Sequence, residues 1–185
     1  SALDPGAPTD PVSPNQYRST NVSASQKGHS FRQKGLDTPF KRNADLTTFQ
    51  HNIWMRAVDC GLDSVTYAPD PIDATRMSCI IHEHTRFSIE SVETTMAVQI
   101  KKYDSYDKMN DAEITHLLMN SLDHELAKEL RDIRQEGDPF PVVWMHLIKL
   151  IRSVSIDRYE HLKARIKTRK PSQYSGQDMT QLASA

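Results

Sequence analysis

Residues 44–61 read ADLTTFQHNIWMRAVDCG, and their periodicity decides the fold class. Leu46, Phe49, Ile53, Ala57 and Cys60 recur at spacings of three and four, the mark of one buried helical face. Asp45 stands where an N-cap acceptor is needed, and Gly61 stands where a left-handed residue ends a helix. Trp54 and Val58 widen the apolar face.

The same period returns downstream. After a turn through residues 68–73 (APDPID), residues 74–87 (ATRMSCIIHEHTRF) predict a helix, although β-branched Ile80 and Ile81 could equally open a short strand. Residues 89–103 place Ile89, Val92, Met96 and Ile100 on one face. Asn110 or Asp111 is read as the cap of AEITHLLMNSL, whose stripe is Ile114, Leu117, Leu118 and Leu122. HELAKELRDI follows with Leu126, Leu130 and Ile133 before Gly137, so that the two stretches form one bent helix or two. Asp138-Pro139-Phe140-Pro141 is a helix start, with an acid at the cap and prolines in the first turn. It leads into VVWMHLIKLIRSV, where Val143 or Trp144, Leu147, Ile148, Ile151 and Val154 face inward. Ser155 is read as ending that helix and capping SIDRYEHLKARIKTRK, with Ile156, Tyr159, Leu162 and Ile166 on one face and Pro171 beyond.

The expectation is an all-α fold, a bundle of about five to seven short helices behind a disordered N-terminal arm. Its core anchors are Phe49, Trp54, Trp144, Leu147, Ile151, Tyr159 and Leu162. Residues 1–42 form the arm, rich in Pro, Ser, Asn and Gln with no apolar period. Residues 43–170 form the helical domain. Residues 171–185 form a linker and the start of a further helix, capped by Asp178 and cut short. The opening SALDPGAPTD lacks an initiator Met and a secretion signal, and the chain is read as an internal piece.

Composition bounds the function. With 37% hydrophobic residues, 25% charged residues and a net charge of -1 over 185 residues, the chain falls among ordinary globular proteins. No apolar run approaches the roughly 20 residues of a membrane span, so no membrane partner is expected. Charge is divided by segment. Residues 1–42 hold six Lys/Arg and three Asp/Glu (+3), residues 43–157 hold 11 and 19 (-8), and residues 158–170 hold six and one (+5). Any polyanion, such as a nucleic acid, is therefore expected at the basic flanks, through Lys41 and Arg42 on one side and Lys163, Arg165, Lys167, Arg169 and Lys170 on the other. A solvated helix end is the competing reading of that second cluster. Two cysteines, Cys60 and Cys79, are too few for a disulfide framework and fit a reducing interior, cytosol or nucleus, with a cytoplasmic setting expected.

Catalytic chemistry finds little support. Cys60, Cys79, His82 and His84 lack the paired spacing of structural zinc sites, and His82-Glu83-His84 is not the HExxH of a helical zinc protease. His116 and His124 are eight apart, flanked by Asp123 and Glu125, without a nucleophile elbow or a phosphate loop. A solvated polar face is the preferred reading. No metal, cofactor or small-molecule substrate is expected, and the chain is read as a binding or assembly module and not an enzyme.

From Leu46 onward the order of features resembles the Gag-like capsid polyprotein of copia-type LTR retrotransposons. The likeness is carried by LTTFQHNIWMRAVDCGL, by SLDHELAKEL, by Trp144 opening VVWMHLIKLI, and by SIDRYEHLKARIKTRKPSQYSGQDMTQLA. The resemblance implies an all-helical capsid domain that associates with itself into a shell, or virus-like particle, around the element's RNA without catalysis. The CCHC zinc knuckle common in Gag proteins has no counterpart in the sequence. The alternative is a helical adaptor or nucleic-acid-binding domain that uses the basic helix 158–170.

Overall fold

The computed structural model describes residues 34–73 and 75–168, with side chains left aside for 154–162 and 165–168. The helix read from residues 44–61 is α1, Leu46–Asp59. Asp45 caps it, accepting the backbone N–H of Thr47 at 3.1 Å and of Thr48 at 3.2 Å. At its other end Gly61 adopts φ 67°. The Leu62 N–H then reaches back to the Ala57 carbonyl and the Gly61 N–H to that of Val58, which closes a Schellman motif. Phe49, Ile53, Ala57 and Cys60 are buried as the period requires, whereas Val58 is exposed.

A 3-10 turn, Asp63–Thr66, leads into strand β1, Tyr67–Pro69, which pairs antiparallel with β2, Met77–Cys79. The register matches Tyr67 with Cys79 and Pro69 with Met77. Ile80 and Ile81 do not open a strand, and the predicted helix holds only in part. The strand takes Met77–Cys79, and Ile80–Glu83 form the short helix α2, followed by a 3-10 turn, His84–Arg86. Helix α3, Ile89–Gln99, is capped by Ser88 and buries Val92 and Met96.

Helix α4, Ser105–Asn120, begins six residues before the expected Asp111. Asp104 is its N-cap and Asp107 its N3 residue, each side chain accepting the other's backbone N–H, at 2.8 Å and 3.2 Å. Such a capping box normally carries Glu or Gln at N3, and Asp in that place hid the signal. The α4 chain ends at Ser121, and Asp123 caps a separate helix α5, His124–Ile133. The leucine-rich stretch is therefore two helices. Ile114, Leu117, Leu118, Leu126 and Leu130 are buried, but Ile133 is 41% exposed.

Helix α6, Phe140–Thr168, runs through Ser155 without a break, contrary to the reading of two helices. No Gly or Pro interrupts residues 142–168, and a serine alone does not end a helix. Asp138 does not cap it either: its carboxylate accepts the Gln135 N–H of the preceding turn at 2.7 Å. The acceptor at the start of α6 is Asp111 of α4, 2.9 Å from the Phe140 N–H.

The first compact unit ends at Lys149 and the second begins at Leu150. In the first, aromatic rings form the centre of the core. Phe40 stacks on Phe49 at 4.2 Å between centroids, Phe49 on Trp144 at 6.2 Å, and Trp144 meets Phe140 at 5.9 Å. Trp144 and Leu147 are fully buried. In the second, the described part is the α6 stretch Leu150–Thr168, with Ile151 buried.

Phe40 was expected in a disordered arm, and here the structure differs. From Gly35 to Arg42 the chain is joined to the α4–α5 connection. The Phe40 N–H donates to the Ser121 carbonyl at 2.7 Å, the Asp123 N–H to the Phe40 carbonyl at 2.9 Å, and the Leu36 N–H to Ser121 Oγ at 2.9 Å. At Gly35 a Cβ would lie 2.1 Å from the Asn120 carbonyl oxygen, so only glycine lets the chain pass. Two apolar residues in a Pro-bounded stretch carry no period, which is why the sequence concealed the attachment.

Candidate functional site

Attachment of residues 35–42 raises a wall opposite α1, and between them lies a groove of about 530 Å³. Leu36, Phe40, Phe49 and Met55 give it apolar surface, and Asp37, Asp45 and Asp59 line it with acid against the single base Arg56. Met55 is 45% exposed here, on the face of α1 turned away from the core. The Asp45 carboxyl is held below its usual range by the Thr48 hydroxyl and by the N–H groups of Thr47 and Thr48. It stays anionic at neutral pH.

A second polar centre holds the β1–β2 loop. The Asp70 side chain is buried, yet it accepts from Ser78 Oγ at 2.7 Å, the Ile72 N–H at 2.9 Å and the Asp73 N–H at 3.0 Å. Arg86 reaches it at 2.8 Å and Arg76 at 3.7 Å. The Ser78 hydroxyl above all holds this carboxyl far below the ordinary range; burial opposes it, and the two N–H groups and Arg86 add to it. Glu83 clamps the same arginines, at 2.7 Å from Arg76 and 3.2 Å from Arg86. Such a satisfied carboxylate fixes a loop and has no free lone pair to offer a substrate.

Asp111 is the opposite case. Burial pushes its carboxyl up to about 7, opposed only by the Phe140 N–H. Burial, with the negative charges of Asp111 and Asp107, also raises the nearby Tyr103 phenol. These groups lie inside the fold, away from the groove.

The histidines and cysteines do not converge. Cys60 and Cys79 are buried free thiols, and burial raises that of Cys79. His82 stands edge-on to Trp54 at 5.1 Å, its pKa lowered by burial and by His51. His84 Nδ1 lies 2.9 Å from the Gln50 amide nitrogen. His116 on α4 and His124 on α5 belong to different helices, both exposed. Among the described residues no group of three or more His, Cys, Asp or Glu is placed to hold a metal ion.

Of the basic residues singled out from the sequence, Lys41 is exposed, whereas Arg42 is half-buried and bonded to Glu129. Arg42 is therefore committed to an internal pair. Lys163 is exposed on α6, which also carries Arg165 and Lys167; Arg169 and Lys170 lie outside the described residues. Among the expected anchors, Phe49, Trp144, Leu147 and Ile151 are buried. Trp54 is only half-buried, its ring edge-on to Tyr67 at 6.3 Å, and the Tyr159 and Leu162 side chains lie outside those described. The groove itself was not foreseen; its one signal is the Pro39-Phe40 pair ahead of α1. Among the described residues no helix is long and apolar enough to cross a membrane. Comparison with protein-family models, curated proteins and solved structures finds no match.

Proposed function

We propose that this chain is a structural, self-assembling module of the Gag-capsid kind, working through protein–protein contacts and without catalysis. The observation that carries the reading is the placement of large apolar side chains on the outer faces of several helices: Val58 on α1, Val98 on α3, Met109 on α4 and Ile133 on α5. Singly, such residues are ordinary. Distributed over four helices of one body, they supply the several small contacts through which a lattice forms, because weak interfaces act together. The two carboxyls with the largest shifts, Asp70 and Asp111, hold a loop and a helix start, and this further supports a non-enzymatic role. The sequence resemblance extends the reading to a shell around RNA, with the basic flanks toward the nucleic acid.

Light scattering and electron microscopy of the full chain at high concentration test it. Particles or higher oligomers are expected, reduced in the combined variant Val98→Lys, Met109→Lys, Ile133→Lys. A strictly monomeric species at every salt and protein concentration would overturn the proposal. The second reading, a nucleic-acid-binding helix, is favoured by exposed Lys163 on α6. It requires binding that weakens steeply with salt, each lost phosphate contact lowering the logarithmic slope by about 1. Reversing Lys163, Arg165, Lys167, Arg169 and Lys170 to Glu separates the two, since assembly by helix faces survives the change.

A further inference from the structure

The groove beside α1 pairs apolar surface with an acidic rim, and the chain that leads into it is its chemical complement. Three carboxylates line it, those of Asp37, Asp45 and Asp59, against Arg56, while Lys34, outside the lining, pairs with Asp37 at 3.5 Å. Residues 11–33 carry Arg18, Lys27 and Arg32 and no acid at all, with Tyr17, Val22 and Phe31 as apolar anchors. That segment joins the described fold at Lys34, two residues before groove-lining Leu36.

We propose that the groove is the docking site of residues 17–32 of the same chain, their cations set against the acidic rim and an aromatic side chain against Met55 and Leu36. Charge complementarity selects a cationic occupant. Tethering selects this one: a segment joined by a few residues is present at an effective concentration in the millimolar range, and closing so short a loop costs little. A second copy, or the basic end of its α6, meets the groove only at the bulk concentration. The inference stands apart from the assembly role and holds whether or not the body assembles. It adds a competition to the chemistry of the arm. Arg18, Lys27 and Arg32 cannot neutralise the groove and a polyanion at once, so nucleic acid draws the arm off.

Photo-crosslinking in the full chain tests it. Met55→benzoylphenylalanine places the probe in the groove, and the same replacement at Asn52, also in the groove lining, guards against failure of one variant. Isotope-labelled and unlabelled chains are mixed in equal parts before irradiation, and the linked peptides are mapped by mass spectrometry. Links to residues 17–32 within one isotopic chain are expected, with a yield that does not change on dilution. In the variant Arg18→Glu, Lys27→Glu, Arg32→Glu the yield should fall about tenfold, the loss of three exposed ion pairs. Mixed-isotope links in the majority, links to residues 163–170, links confined to the groove walls, or an undiminished yield in the charge-reversed variant would each overturn it.

Discussion

The Asp111 carboxylate accepts the Phe140 N–H at 2.9 Å across 29 residues of sequence, so that a side chain in the middle of one helix caps the beginning of another. The bond satisfies a donor that α6 itself cannot, because the first N–H groups of a helix have no intrahelical partner. It also sets α4 and the start of α6 in fixed register.

Asp111 makes stability depend on pH. Its carboxyl is raised from 3.8 to about 7, so the folded state binds more protons than the unfolded one between those values. Stability is full below about pH 4 for this group and declines as pH rises toward 7, by at most about 4 kcal/mol. Asp111→Asn keeps an acceptor for Phe140 without the charge. Urea denaturation at several pH values should show that slope flattened in the variant; an unchanged slope rejects the assignment.

Asp70 acts in the other direction. Its carboxyl is depressed, so its stabilisation is present above the unfolded value of 3.8 and lost as pH falls below it. Asp70→Asn removes the negative charge that Arg76 and Arg86 share with Glu83 and should lower stability at neutral pH. Chemical denaturation measures the cost, and the variant should lose its added sensitivity to acid.

Gly35→Ala forces a Cβ onto the Asn120 carbonyl oxygen at 2.1 Å, and backbone cannot yield as a flexible side chain does. The expected cost is about 1–3 kcal/mol. Hydrogen exchange gives the sharper reading, since the Phe40 and Asp123 amides, which bond across this joint, should lose protection while those of α3 keep theirs. Equal loss everywhere would point to general destabilisation instead.

The two tryptophans should separate in a truncation series. Trp144→Ala removes a fully buried ring stacked on Phe49 and tilted against Phe140 and should cost about 3–5 kcal/mol. Trp54→Ala, at a half-buried position, should cost about half as much or less. Thermal or urea midpoints decide; equal costs would return Trp54 to the core.

These residues also mark what the sequence makes legible. Where one helix face carries its own apolar period and its own cap, as in Asp45 and the stripe from Phe49 to Cys60, pattern and structure agree. Where a partner distant in sequence decides, pattern is silent. Asp111 reads locally as the cap of its own helix, while the true cap is Asp104 and the carboxylate serves Phe140. Phe40 reads as a stray aromatic in a polar stretch, and only the turn at Ser121 shows why it is buried. The groove follows from that same attachment. The basic clusters were legible as charge, but not the pairing of Arg42 with Glu129 of α5, 87 residues further along the chain.

The stacked rings have a consequence for how the chain acquires its shape. Phe40 and Phe49 leave a ribosome before Phe140 and Trp144, which emerge after most of the described body has been made. Until then the first two rings have no lid, and a nascent chain stalled before residue 140 presents them as sticky surface. Closure of the core is a contact between distant parts of the sequence and belongs to the slow class of folding events. Synthesis past Trp144, and not local helix formation, sets the moment at which this core closes.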